Sequence, residues 1–197
     1  MGEPSFSVAV YCGSRLGSDV RYTDAAREIG HWIGVHGGQL VYGGGRSGLM
    51  GVVAEATRAS GGRVVGVIPQ SLVDKELANH ACDELHVVQT MHERKALMAE
   101  RSQAFIALAG GIGTFEELFE VWTWRQLGYH QKPLGLLNTA DYYTQLINFL
   151  GHSVDQGFMG DWQMGLLRIH DEPATLLAAL IQDAGWAADG RSIRTVI

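Results

Sequence analysis

Apolar residues along this chain fall into two rhythms. Short runs rich in valine, isoleucine and leucine recur at 7–12, 39–42, 63–68, 85–88, 104–108 and 133–137. Between them, apolar positions return at the three-to-four spacing of an amphipathic helix, over roughly 18–36, 47–60, 90–102, 114–127, 141–156 and 173–183. The short runs are almost continuously hydrophobic and do not alternate with polar residues. That predicts strands buried on both faces, as in a parallel sheet joined by helical crossovers. Strand and helix alternate throughout, so the expected fold class is α/β, a doubly wound parallel sheet with helices on both faces. One domain over 1–183 accounts for the pattern, and a less clearly structured tail follows from 184 to 197. No internal repeat or linker-like shift in composition interrupts it.

Composition narrows the class of protein. Of the 197 residues, 46% are hydrophobic and 18% charged, as expected of a folded globular chain. The net charge of −6 argues against a nucleic-acid partner, which would call for a basic surface. Phosphate binding would therefore be local, built from a few basic residues and backbone N–H groups. The two cysteines, Cys12 and Cys82, form no disulfide framework and suit a reducing cytoplasm. The N-terminal residues lack the basic and apolar regions of a signal peptide. No run approaches the ~18 apolar residues that would suggest a membrane span. A soluble, cytoplasmic protein without a membrane partner is expected.

Open α/β sheets bind ligands beyond the carboxyl ends of their strands. Those ends carry small residues here: Cys12-Gly13-Ser14, Gly43-Gly44-Gly45-Arg46-Ser47-Gly48, and Ala109-Gly110-Gly111-Ile112-Gly113-Thr114. Gly43, Gly45 and Gly48 satisfy a formal G-x-G-x-x-G. A dinucleotide fingerprint is disfavoured, because the loop does not follow the first strand and no acid stands about 20 residues on. A P-loop is excluded by the lack of a Lys-Ser or Lys-Thr pair after any glycine run. The second loop opens a helix near Thr114, where free N–H groups and the helix dipole favour an anion. Two such loops in one sheet point to a phosphorylated ligand clamped between them.

The acidic and basic candidates flank that second loop. Thr114 and Glu117 fit a capping box, so Glu117 is either a helix-starting residue or chemical machinery. The same pattern occurs at Thr90 and Glu93. Glu116 points about 100° away from Glu117 around the helix and reads as a bystander. Arg94 and Lys95 lie in the first turns of a helix, the unfavourable end for cations, so a reason for them is worth seeking. No second ligand stands at metal spacing from His92, and no Cys/His/Asp cluster suggests a metal or other cofactor. No nucleophile elbow is present.

Taken together, "YGGGRSGLMG" (42–51), "MHERK" (91–95) and "GGIGTFEELFEVWTWRQLG" (110–128) resemble the LOG (Lonely Guy) family. Its members are cytokinin riboside 5′-monophosphate phosphoribohydrolases, often labelled a lysine decarboxylase family. The resemblance runs from about Ser7 to His170. It implies a Rossmann-like homodimer that hydrolyses the N-glycosidic bond of N6-substituted adenosine 5′-monophosphates, giving the free base and ribose 5-phosphate. By motif position, Arg94 and Glu117 are the implied catalytic pair. Substrate and phosphate would be held by Gly13, Ser14, Gly43, Gly44, Gly45, Gly48, Gly110, Gly111, Gly113 and Thr114, with Met91 and Lys95 in support. No metal or cofactor is implied. The helix bearing Trp122 and Trp124 is either an interface element or part of the core. Three other readings stay open: a general AMP or purine-nucleotide nucleosidase, a non-catalytic carrier of nucleotide-like ligands such as molybdenum cofactor, and, more weakly, an NAD oxidoreductase.

One residue departs from the family pattern. The motif PGGxGTxxE begins here with Ala109 instead of proline. Alanine frees φ and restores an N–H, which predicts a looser loop and weaker phosphate binding on an intact fold.

Overall fold

The computed structural model describes residues 4–75 and 77–186. Seven strands, β1 (Ser7–Tyr11), β2 (Gln39–Tyr42), β3 (Arg63–Pro69), β4 (Glu84–Val88), β5 (Ala104–Ala107), β6 (Leu134–Leu137) and β7 (Leu167–His170), form one sheet in the order β4-β3-β2-β1-β5-β6-β7. Every pairing between neighbouring strands is parallel. Helices α1 (Val20–Val35), α2 (Gly48–Ala59) and α8 (Pro173–Asp183) cover one face, and α4 (Met91–Glu100), α5 (Ile112–Gln126) and α6 (Thr144–Asp155) cover the other. Two single turns, α3 (Gln70–Val73) and α7 (Asp161–Met164), and a 3-10 turn at Thr139–Asp141 complete the helices of the described residues. The expected doubly wound α/β sheet is the fold. Among the described residues, no helix is long and apolar enough to cross a membrane.

Two hydrophobic layers flank the sheet. Val8, Val10, Leu40, Ile106 and Leu137 face α1, α2 and α8, whereas Ala9, Tyr11, Val41, Phe105 and Leu136 face α4, α5 and α6. This two-sided burial is why the central strands read as continuous apolar runs. β7 was not expected from the pattern. It is a four-residue edge strand in which Leu167 is buried and Arg168 exposed, so its apolar density is low. Trp122 resolves its alternatives toward the core: it is buried, and its Nε1 donates to the Gln163 carbonyl at 3.0 Å. Of the tail, Ala184–Trp186 is described, with Trp186 packed against the core; residues 187–197 lie outside the described residues.

Strand order fixes where the loops open. From β1 the chain winds outward through β2 and β3 to β4, then returns to place β5 on the other side of β1. The connections leaving β1 and β5 therefore diverge, and the crevice between them is the topological switch point.

Close approach of α1 and α2 depends on small residues. A Cβ on Gly30 would lie 2.5 Å from the Val53 carbonyl oxygen and 2.7 Å from Ala56 Cβ. Gly30→Ala should lower the melting temperature by several degrees. Overpacking of about 1–3 kcal/mol exceeds the roughly 1 kcal/mol of helix propensity gained. A melting temperature at or above that of the parent, by calorimetry, would show that the helices separate without cost.

Candidate active site

A cavity of about 550 Å³ occupies the switch point, within the size range of small-molecule sites. Its walls come from the β1–α1 loop (Cys12 to Gly17), from Gly43, Leu49 and Met50 after β2, from Leu72 and Arg94, and from the β5–α5 segment (Ala109 to Thr114) with Glu117. Nine of the expected site residues line it: Gly13, Ser14, Gly43, Arg94, Gly110, Gly111, Gly113, Thr114 and Glu117. Gly44, Gly45, Gly48, Met91 and Lys95 do not.

The three loops are joined by backbone hydrogen bonds. Gly13 N donates to Ala109 O at 3.0 Å, and Leu49 N donates to Gly13 O at 3.0 Å. The second bond places a protein carbonyl at the start of α2. Gly48 adopts a left-handed φ of 62°, and a Cβ there would lie 2.2 Å from the Ser14 carbonyl carbon. The glycine motif at 43–51 thus brings two loops into contact at the cavity wall. Its first glycine is different. A Cβ on Gly43 would fall 1.9 Å from Arg94 Nη2, so glycine there admits the guanidinium to the cavity wall.

The second loop meets its helix differently. α5 begins at Ile112 with Gly111 as N-cap, and no side chain caps it. The N–H groups of its first turn have no partner within the helix, at the positive end of its dipole. A Cβ on Gly111 or Gly113 would meet nothing within 4 Å, so packing within the protein does not require glycine at either position. The two loops are not equivalent: both helices start without a side-chain cap, but α2 spends Leu49 N on the Gly13 carbonyl.

Helix α5 starting at Ile112 also removes the capping-box reading of Glu117. Thr114 is the third residue of the helix, and the Thr114–Glu117 capping box does not form. The look-alike at Thr90 does form, with Glu93 N donating to Thr90 Oγ1 at 3.1 Å and Glu93 Oε2 accepting from Thr90 N at 3.3 Å. Glu117 instead lines the cavity, 8% exposed, with its Oε1 3.0 Å from Arg94 Nη1. That oxygen is buried and accepts no aligned hydrogen bond. Burial raises the Glu117 pKa above the ordinary carboxylate value; the Arg94 charge opposes the shift without cancelling it. Arg94 is fixed from behind by its Nε, which donates to the Val67 carbonyl of β3 at 3.1 Å.

Glu116 is not a bystander. It accepts from Lys95 Nζ at 2.5 Å, and Glu120 Oε2 lies 3.1 Å from the same nitrogen. Burial disfavours the Lys95 charge, but the two glutamates outweigh it and hold its pKa above the ordinary value. Three ion pairs from two neighbouring cations therefore tie α4 to α5, of which only Arg94–Glu117 faces the cavity. Cys12 also lines the cavity, but burial, reinforced by the Glu117 charge, drives its thiol pKa far up and keeps it protonated. The sequence reading missed Tyr22 and Tyr142 as cavity residues. They meet edge-on at 5.5 Å, Tyr22 from the first turn of α1 and Tyr142 from the turn before α6, a distance in sequence that no local pattern signals.

Known proteins resemble both the chain and its fold. The family model described as "Possible lysine decarboxylase" matches residues 50–180. The cytokinin riboside 5′-monophosphate phosphoribohydrolase of Rhodococcoides fascians is 51% identical over 154 residues, covering 78% of each chain. Cytokinin riboside 5′-monophosphate phosphoribohydrolase LOG1 of Arabidopsis thaliana is 49% identical over 152 residues, 77% of this chain and 71% of that protein. Among solved structures, the molybdenum cofactor carrier protein of Chlamydomonas reinhardtii superposes with a TM-score of 0.70 at 22% identity, over 92% of this chain and 98% of that one, a likeness of fold. With the family model spanning residues 50–180 and relatives near half identity over three quarters of its length, the chain belongs to the LOG family.

Proposed function

We propose that the cavity hydrolyses the N-glycosidic bond of N6-substituted adenosine 5′-monophosphates, releasing the cytokinin base and ribose 5-phosphate. The observation that carries this reading is the buried Glu117 carboxylate beside Arg94, one turn into a helix whose open N-terminus lines the same cavity. The names of the relatives near half identity support the same substrate class. In this reading the phosphate sits against the first turn of α5 at Gly111, Gly113 and Thr114, and its binding energy aligns the sugar.

Breaking the bond between ribose and purine leaves positive charge at the anomeric carbon and negative charge on the departing base. Glu117 stabilises the first as a carboxylate. It also accepts a proton from the water whose oxygen attacks that carbon, a task suited to its raised pKa. Arg94 holds sugar or phosphate oxygens and offsets charge on the leaving group. The apolar wall of Leu16, Leu49, Met50 and Leu72 favours a hydrophobic N6 substituent over unmodified AMP. The reading includes a homodimer, supported by the exposed apolar side chains of Ile112, Phe149, Phe158 and Trp162. A cytoplasmic setting is supported by two free cysteines.

Three measurements test it. Chromatography of released base should show N6-isopentenyl-AMP cleaved faster than AMP, and the nucleoside at least about 10²-fold more slowly in kcat/KM, the phosphate contacts being charge-assisted. Equal rates on nucleoside and monophosphate would remove the phosphate site from the reading. Glu117→Gln should lose about 10²–10⁴ in kcat while keeping its fold by circular dichroism. Near-normal turnover would make Glu117 structural. Because its folded pKa is raised, Glu117 takes up a proton at a higher pH than an ordinary glutamate. Activity should therefore fall on the acid side at a pH above 4.5, the ordinary value. An acid limb at or below that value would exclude Glu117 as its source.

A further inference from the structure

The turn between β6 and α6 contains two consecutive non-glycine residues in the left-handed region, Ala140 (φ 53°) and Asp141 (φ 60°). L-residues adopt that conformation at a cost, and such strain persists only where the surroundings enforce it. The turn is enforced here. Asn138 N donates to the His170 carbonyl at 2.8 Å, Asn138 Oδ1 accepts from Tyr143 N at 2.7 Å, and Asn138 Nδ2 donates to Thr144 Oγ1 at 3.1 Å. The chain reversal delivers two successive tyrosines to the β5–α5 loop. Tyr143 Oη donates to the Leu108 carbonyl at 2.7 Å, and Tyr142 Oη donates to the Gly110 carbonyl at 2.6 Å. The carbonyl between them, that of Ala109, accepts from Gly13 N. The two rings meet edge-on at 4.8 Å, and Tyr142 also packs edge-on against Tyr22.

Three successive carbonyls of the loop are therefore held from outside it. In a planar trans peptide, C=O and the following N–H point in opposite directions. Fixing the carbonyls of Leu108, Ala109 and Gly110 thereby fixes the N–H groups of Ala109, Gly110 and Gly111 and the entry into α5. Proline at position 109 would stiffen this loop covalently, and this chain has alanine there. We propose that Tyr142 and Tyr143 are positioning residues that orient the β5–α5 loop as an anion cradle, taking over the constraint that a proline at position 109 would supply. Tyr143 is the more telling of the two. Its side chain is 1% exposed and does not line the cavity, so it acts on a ligand only through the loop. Tyr142 lines the cavity and can also touch a ligand directly.

The inference rests on the proposed phosphate site, and its test uses ribose 5-phosphate titrated into the full chain by calorimetry. Tyr143→Phe and Tyr142→Phe should each weaken binding about three- to tenfold, the worth of one hydrogen bond. KM for the monophosphate should rise more than kcat falls. Adding Ala109→Pro should recover much of the loss in the Tyr143→Phe background. This substitution keeps the Ala109 carbonyl that accepts from Gly13 N. Thermal melts of each variant separate loop effects from loss of fold. Unchanged affinity in both folded tyrosine variants, with the parent binding, would overturn the positioning role alone. A loss in Tyr143→Phe that Ala109→Pro leaves untouched would overturn the link to residue 109. A parent chain that binds no ribose 5-phosphate would overturn this inference together with the phosphate site.

Discussion

A carboxylate under a cavity floor must be offset or it neutralises, and that requirement organises the center of this molecule. Glu117 is buried, and desolvation works against its charge. The compensating cation is Arg94, on a different helix, so α4 and α5 must start side by side on the same face of the sheet. Arg94 in turn needs somewhere to lie. The Val67 carbonyl takes its Nε, and the missing side chain of Gly43 leaves room for its Nη2. Just outside, Lys95 bridges Glu116 and Glu120, so each cation is matched to α5 acids and the two helices are held in register. A buried pair of this kind is weak as a source of stability. Its consequence is a buried carboxylate of raised pKa, paired with Arg94, at a ligand-sized cavity.

The two glycine motifs divide the remaining work. At 43–51, glycines let three backbone segments approach closely, and the start of α2 is filled by the Gly13 carbonyl. At 110–113, Gly111 and Gly113 answer to nothing within the protein and leave the start of α5 open. Similar composition thus serves packing in one loop and access in the other. The wording "lysine decarboxylase" finds no counterpart here. Lys95 is committed to two glutamates, Lys132 donates to the Ala99 carbonyl at 2.6 Å, and neither they nor Lys75 line the cavity.

Much of the fold was legible because hydrophobic period is a local property. Six of the seven strands and all six long helices stand where the apolar rhythm puts them, and α8 matches its expected span of 173–183. β7 escaped because a short edge strand with one wet face carries little apolar density. The Thr114–Glu117 capping box failed for a different reason. The pattern is equally satisfied by a helix that begins three residues earlier, and only the closing of α5 onto Gly111 decides between them.

By itself, the sequence determined the α/β class, the strand-end location of the cavity, the family motifs and the placing of Glu117, not Glu116, in its wall. Each of these depends on residues close together in the chain or on a recognisable motif. Tertiary structure alone decided which charges pair, which glycines face the cavity, and that Lys95 turns away from it toward Glu116 and Glu120. It alone brought Tyr142 and Tyr143 to carbonyls more than thirty residues earlier. The physical reason is common to all of them. Burial, Coulomb pairing and steric room are properties of three-dimensional neighbours, and spacing along a chain does not record them.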